Sequence, residues 1–239
     1  MKLLALELST EACSVALHVD GQVLERFELA PRRHAELTLP WAEALLAEAG
    51  IARRQLDAIA LGRGPGAFTG VRLAIALAQG IALALDRPLV PVSTLQALAL
   101  RAPDEAGNIL AAIDARMGEV YVARYRRVDG LPQLQDSERV CAPDAVLLPG
   151  GLQYHGVGTG FAAAEGAIAT GLADQLASVD ATALPRASDV LTLAVPAYAR
   201  GEAIAPERVE PAYLRDNVAL TLIEQQALRD AKAEAKAKG

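Results

Sequence analysis

The chain has 239 residues, a formal net charge of −6 and 52% apolar residues, of which few are aromatic. That apolar share excludes a disordered chain, and an acidic balance with no Lys/Arg block in its body argues against a protein that grips a nucleic-acid backbone unaided. Two cysteines far apart, Cys13 and Cys141, make neither a disulfide framework nor a zinc spacing and fit reduced thiols in the cytoplasm.

The opening Met1 to Glu7 is apolar, but Glu7 interrupts it too early for a signal peptide. Residues 3–8 read as a buried central strand, followed by strands over 14–19 and 22–29. Asp20-Gly21 between them is a hairpin-turn signal, because both turn positions need positive φ. A helix follows, with Leu37, Trp41, Ala44, Leu45 and Glu48 on one stripe and Gly50 as its stop. Pro40 marks either its start or a kink. Residues 56–62 read as another buried strand. A glycine-rich turn then leads to a helix over about Thr69 to Leu85, with Thr69 as a candidate N-cap. That helix holds Arg72 and Gln79 and falls short of the about 20 residues of a membrane span, so it reads as buried and no membrane partner is expected. Leu89 to Val92 is a strand, and Ser93 or Thr94 caps a further helix.

Residues 101–108 are polar with Pro and Gly and read as a boundary. It divides an N-terminal lobe, 1–102, from a C-terminal lobe, 109–215. After it the opening pattern returns: an apolar strand ending in Asp114, a short loop, and a Val/Tyr-rich strand from Glu119 to Arg126. Laid over the start, Leu6-Glu7-Leu8 falls on Ile113-Asp114-Ala115, a faint internal repeat. A helix is predicted from Ser188 to Arg200 with Pro196 inside it, then an extended Val209 to Arg215. A charged helix over about 219–232 ends the chain and is expected to pack back on the first lobe.

Three motifs could carry chemistry. An acid at a strand end followed by hydroxyls, Glu7 with Ser9 and Thr10, suits a metal- or phosphate-facing loop, and a polar turn accounts for the same residues. Gly64 to Arg72 could offer helix amides to an anion, yet no Lys-Ser/Thr follows, and the glycines equally permit a sharp turn. Gly156 to Gly160 reads as a turn. His18, His34 and His155 are isolated, with no metal-ligand spacing, and read as surface or capping residues. In the long helix, Gly70, Ala74 and Ala78 form one small-residue edge and Ala76, Gly80 and Ala84 another; both let a second helix approach closely, within the fold or across an interface.

As an ordered set these residues resemble the TsaB (YeaZ) family. The set runs Leu4 to Thr10 with Ala12 to Leu17, then His34, Leu39-Pro40, Gly64 to Arg72, Asp114 to Arg116 with Glu119 to Tyr121, and Pro211 to Arg215. The resemblance implies an α/β fold of the actin/hexokinase-like (ASKHA) type, two related lobes each with a mixed sheet flanked by helices. It implies a cytoplasmic, non-catalytic scaffold in threonylcarbamoylation of adenosine 37 in tRNAs that read A-starting codons. The partners implied are the catalytic paralog TsaD and the ATPase TsaE, with a homodimer in isolation and tRNA met only through the complex. The docking surface implied is formed by the first two helices: His34, Leu37, Trp41 and Leu45 from one, and Gly66, Phe68, Gly70, Leu73, Ala76, Leu77 and Gly80 from the other. No catalytic residue, metal or cofactor is expected, because the His-x-x-x-His pair of the paralog is missing. Glu7, where the family commonly has Asp, and Ala67, where Ser is usual, leave Glu7, Ser9 and Thr10 as remnants of a phosphate loop. The alternatives are an ATP-dependent kinase or hydrolase of the same fold, or a glycopeptidase-like protein.

Overall fold

The computed structural model describes residues 1–215. The helix expected over 219–232 lies outside the described residues. The chain opens with β1 (Lys2–Glu7), β2 (Ala12–Val19) and β3 (Gln22–Leu29), paired antiparallel in that order. β1 is aliphatic without alternation because both of its faces are covered. Asp20 and Gly21 form the β2–β3 turn with φ of 48° and 95°, as this hairpin requires. Next come α1 (His34–Glu48), β4 (Ala58–Gly62), α2 (Phe68–Leu85), β5 (Leu89–Val92) and α3 (Thr94–Ala99). β4 and β5 run parallel to β1, giving a sheet of order β3-β2-β1-β4-β5.

The second half supplies β6 (Asn108–Arg116), β7 (Glu119–Val128), β8 (Leu131–Leu134), β9 (Arg139–Cys141), β10 (Tyr154–Val157), α4 (Ala167–Gly171), β11 (Leu176–Asp180) and α5 (Ala187–Ala199). Its sheet has the order β11-β10-β6-β7-β8, with β9 on β7. Read from β8, this is the first sheet again. Two antiparallel pairings lead to a central strand, and two parallel ones lead away from it. β6 takes the place of β1, so Glu7 and Asp114 stand toward the same end of equivalent strands. This duplicated order of mixed sheets flanked by helices is the actin/hexokinase-like fold.

One face of the first sheet packs under α1 and α2 through Leu4, Leu6, Leu45, Ile59 and Leu61. Its other face packs under α5 through Leu3, Ala5, Ala60, Val190 and Leu191. The helix read within the span of the second lobe therefore lies on the first sheet. Polar contacts fix it there: the Ala187 amide donates to the Ser14 hydroxyl at 2.9 Å, and the Ser188 amide to Glu25 at 3.0 Å. α3 joins the halves, packing on β6 and β7.

Three local expectations change. α1 starts at His34 and runs through Pro40. Its buried stripe is Thr38, Ala42, Leu45 and Leu46, while Ala44 and Glu48 are exposed. Thr38 goes inside because its hydroxyl donates to the His34 carbonyl one turn back, at 2.6 Å. At α2 the N-cap position is Ala67, and Thr69 lies exposed in the first turn. Ser93 does cap α3, accepting from the Gln96 amide at 3.2 Å.

Candidate functional site

Glu7 ends β1 and is 1% exposed. Its Oε1 accepts from the Ser9 amide at 2.8 Å and its Oε2 from the Thr94 hydroxyl at 3.2 Å. The Thr94 oxygen also lies 3.0 Å from the Ser9 hydroxyl and accepts from the Gly64 amide at 3.2 Å. Gly62 stands against the carboxyl, where any β-carbon would overlap it. Burial raises the Glu7 pKa, with the Ser9 and Thr94 hydrogen bonds opposing. The acid that could have faced a metal or phosphate is turned inward. It ties the β1–β2 loop to the segments after β4 and β5. Thr10 is also buried, and its hydroxyl accepts from the Ala12 amide at 3.3 Å.

The start of α2 is closed by the same loop. The Ala67 amide, at the N-cap position, donates to the Ser9 carbonyl at 2.7 Å, which ties this end of α2 to the loop, while the first turn Phe68 to Gly70 lines the cleft. Gly66 lies against the backbone of Ser9 and Gly70 against the carbonyl of Leu8, and a β-carbon at either would come closer than 3.0 Å. These glycines serve close packing. His34 is not a free surface residue. Its Nε2 lies 3.0 Å from the Thr10 carbonyl and 3.1 Å from that of Ala12. Both partners only accept, so Nε2 carries the proton and donates to both.

Across from this loop, Asp114 accepts from the Arg116 amide at 2.7 Å and pairs with the Arg116 guanidinium at 2.9 Å. Between the two loops lies a cleft of about 870 Å³, lined by Ser9, Thr10, Glu11, His34, the first turn of α2, Asp114 to Arg116, Thr159 and Tyr213 to Arg215. Among the described residues no group of three or more His, Cys, Asp or Glu could hold a metal.

The two small-residue edges of α2 point opposite ways. Gly70, Ala74 and Ala78 are buried, Ala74 and Ala78 at 0% exposure. Ala76, Gly80 and Ala84 are exposed with Leu83 beside them, and Phe68 and Leu83 are 52% and 67% exposed. Leu73 and Leu77 of α2 and Leu37 and Trp41 of α1 are half-buried over the cluster Leu8, Cys13, Ala30 and Ala74. Leu45 is fully buried beneath α1. The structure thus brings Leu37, Trp41, Phe68, Leu73, Ala76, Leu77 and Gly80 onto one outer surface. It puts Leu45 and Gly70 inside and Gly66 against Ser9. Exposed Leu83 lies beside the outward edge of α2 and is absent from the expected set; helical position relative to the buried stripe locates it. Thr94 was read only as a cap, and no local signal connects it to Glu7.

By sequence, the TsaD family profile (tRNA N6-adenosine threonylcarbamoyltransferase) matches residues 27–222. The tRNA threonylcarbamoyladenosine biosynthesis protein TsaB of Escherichia coli K12 is 43% identical, over 92% of this chain and 96% of the relative. TsaB of Haemophilus influenzae is 40% identical, over 91% and 95%. The solved structure of YeaZ from Pseudomonas aeruginosa superposes with a TM-score of 0.81 at 47% identity, over 89% of this chain and 99% of that one. Identity of this size, sustained across nearly the full length of both chains, shows that the chain belongs to the TsaB (YeaZ) family.

Proposed function

We propose that the chain serves the formation of threonylcarbamoyladenosine in tRNA as a non-catalytic subunit. It docks through the outer surface of α1 and α2 on the catalytic paralog TsaD, and the ATPase TsaE joins the pair. The observation that carries this reading is the outward edge Ala76, Gly80 and Ala84 with exposed Leu83 beside it. Small residues let a second helix approach closely, and an exposed apolar side chain beside them rewards its arrival. The names of the relatives supply the pathway. The non-catalytic part is supported by Glu7, buried and bonded to Ser9 and Thr94. In isolation the same surface pairs two copies; tRNA is met through the complex, in the cytoplasm.

The test is threonylcarbamoyl transfer to tRNA with TsaD, TsaE and the adenylate-forming enzyme present and this chain omitted or replaced. Sustained transfer should stop on omission. Ala76→Trp should fold normally and fail in the same way, because its side chain points outward. Undiminished transfer without the chain would refute the scaffold role. Ala78 is no substitute position, since it is fully buried and a Trp there disrupts the core. The size of the cleft favours one second reading, an ATP-dependent kinase or hydrolase, because about 870 Å³ is ample for a nucleotide. Micromolar Mg-ATP binding by the isolated chain in calorimetry would select it.

A further inference from the structure

After α5 the chain crosses from the first sheet to the second as an extended strap, Pro211 to Arg215. It has anchors on both sides. On the first side, the Ala212 amide donates to the Arg63 carbonyl at 2.9 Å, and Arg72 Nε donates to the Tyr213 hydroxyl at 2.8 Å. The Arg72 guanidinium lies 3.7 Å from the centroid of the Phe68 ring and 5.5 Å from that of Tyr213. On the second side, Arg215 Nη2 donates to the carbonyls of Ala115 and Arg116 at 3.3 and 3.5 Å and pairs with Glu119. The turn it grips holds three successive residues at positive φ, Arg116, Met117 and Gly118 at 63°, 58° and 78°. Met117 and Gly118 are the two central positions of the β6–β7 hairpin, where positive φ is required, and Arg116 precedes them at the register shift after Asp114.

The strap has open space on both sides. The cleft lies on one, and a second cavity of about 630 Å³ lies on the other, reaching Ser93 and Gln96 at the start of α3. The strap residues Ala212 to Leu214 line both cavities. Its hydrogen bonds and ion pair tie it at both ends.

We propose that Pro211–Arg215 is a latch that holds the two halves at a fixed opening and couples the Phe68–Arg72 end of α2 to the Arg116–Gly118 turn across the cleft. The latch stands without the docking reading. If that reading holds, a partner pressing on Phe68 and Arg72 reaches the cleft through Tyr213.

The test is hydrogen exchange by mass spectrometry on the full chain, with Tyr213→Phe and Arg215→Gln. Tyr213→Phe removes one half-exposed hydroxyl and should leave the fold intact, which unchanged exchange in β1 and β4 will verify. Each variant should speed exchange about tenfold at both 115–121 and 70–75. The diagnostic result is loosening of 115–121 by Tyr213→Phe, since that hydroxyl bonds only to Arg72 among the described residues. The double variant should add little to either single one. Exchange that rises only at each variant's own anchor, or at neither, would overturn the latch.

Discussion

Gly70 and Gly80 lie on the same helix, and replacing each by Ala should move stability in opposite directions. Helix propensity alone predicts a gain at both, about 1 kcal/mol at Gly80 in the helix interior and at most that at Gly70 in the first turn. At Gly80 nothing lies within 4 Å of the new β-carbon, so the gain is realised. At Gly70 the β-carbon meets the Leu8 carbonyl closer than 3.0 Å. That oxygen is backbone in the tightly bonded loop around Glu7, and neither partner can rotate aside. Overpacking of this kind costs about 1–3 kcal/mol, and here the upper end applies. Less the propensity gain, Gly70→Ala should lose about 2 kcal/mol. For a chain of this length each kcal/mol shifts Tm by about 2–4 °C. Thermal unfolding followed by circular dichroism should therefore place Gly70→Ala about 4–8 °C below the parent protein and Gly80→Ala about 2–4 °C above it. Gly70→Ala melting at or above the parent would refute the close contact between α2 and the loop.

Two further outcomes test the polar core and the helix–loop tie. Burial pushes the Asp189 pKa up to about 6, against the opposing Arg101 guanidinium and Arg186 amide. The folded state thus keeps this proton to about pH 6 while the unfolded chain releases it near 4. The group's contribution is complete below pH 4 and is lost as pH rises toward 6. Urea titrations at pH 4 and pH 7 should show Asp189→Asn gaining about 3 kcal/mol on the parent between those values, the equivalent of roughly two pKa units; equal stability differences at the two pH values would contradict this. His34→Ala strips a donor from the carbonyls of Thr10 and Ala12 and should cost about 1–3 kcal/mol. A variant with unchanged urea midpoint would show that His34 holds nothing.

The strands were legible because their faces are chemically simple. An unbroken aliphatic run marks β1, and Asp20-Gly21 fixes the first hairpin. The repeat was visible only as an apolar strand ending in an acid and followed by a hairpin. The matching order of two whole sheets needed the pairings themselves. What a helix packs against was not legible. The apolar pattern of α5 is the same whichever sheet it covers, and the contacts that decide, Ser14 and Glu25, lie 173 and 163 residues upstream of their partners. Both small edges of α2 were visible, but which edge faces inward depends on where β4 runs. The site was hardest. Glu7 and Ser9 read as ligand-facing because an acid and hydroxyls in a loop suit an ion equally well. Their use as internal ties depends on Thr94 and Gly62, remote in sequence.

The packing of α5 on the first sheet has a consequence for synthesis. Leu3, Ala5, Ala60 and Val90 form an apolar face that α5 covers, and α5 ends at Ala199. Roughly a hundred residues separate the last strand of that sheet from its cover. At about 5–20 residues per second, a nascent chain carries that face bare for about 5–20 s. During that interval every strand of the second sheet is made, so the later half can finish its own sheet before the earlier half is sealed. A ribosome stalled before Ala187 would present a sticky, half-dressed intermediate, a natural client for a chaperone.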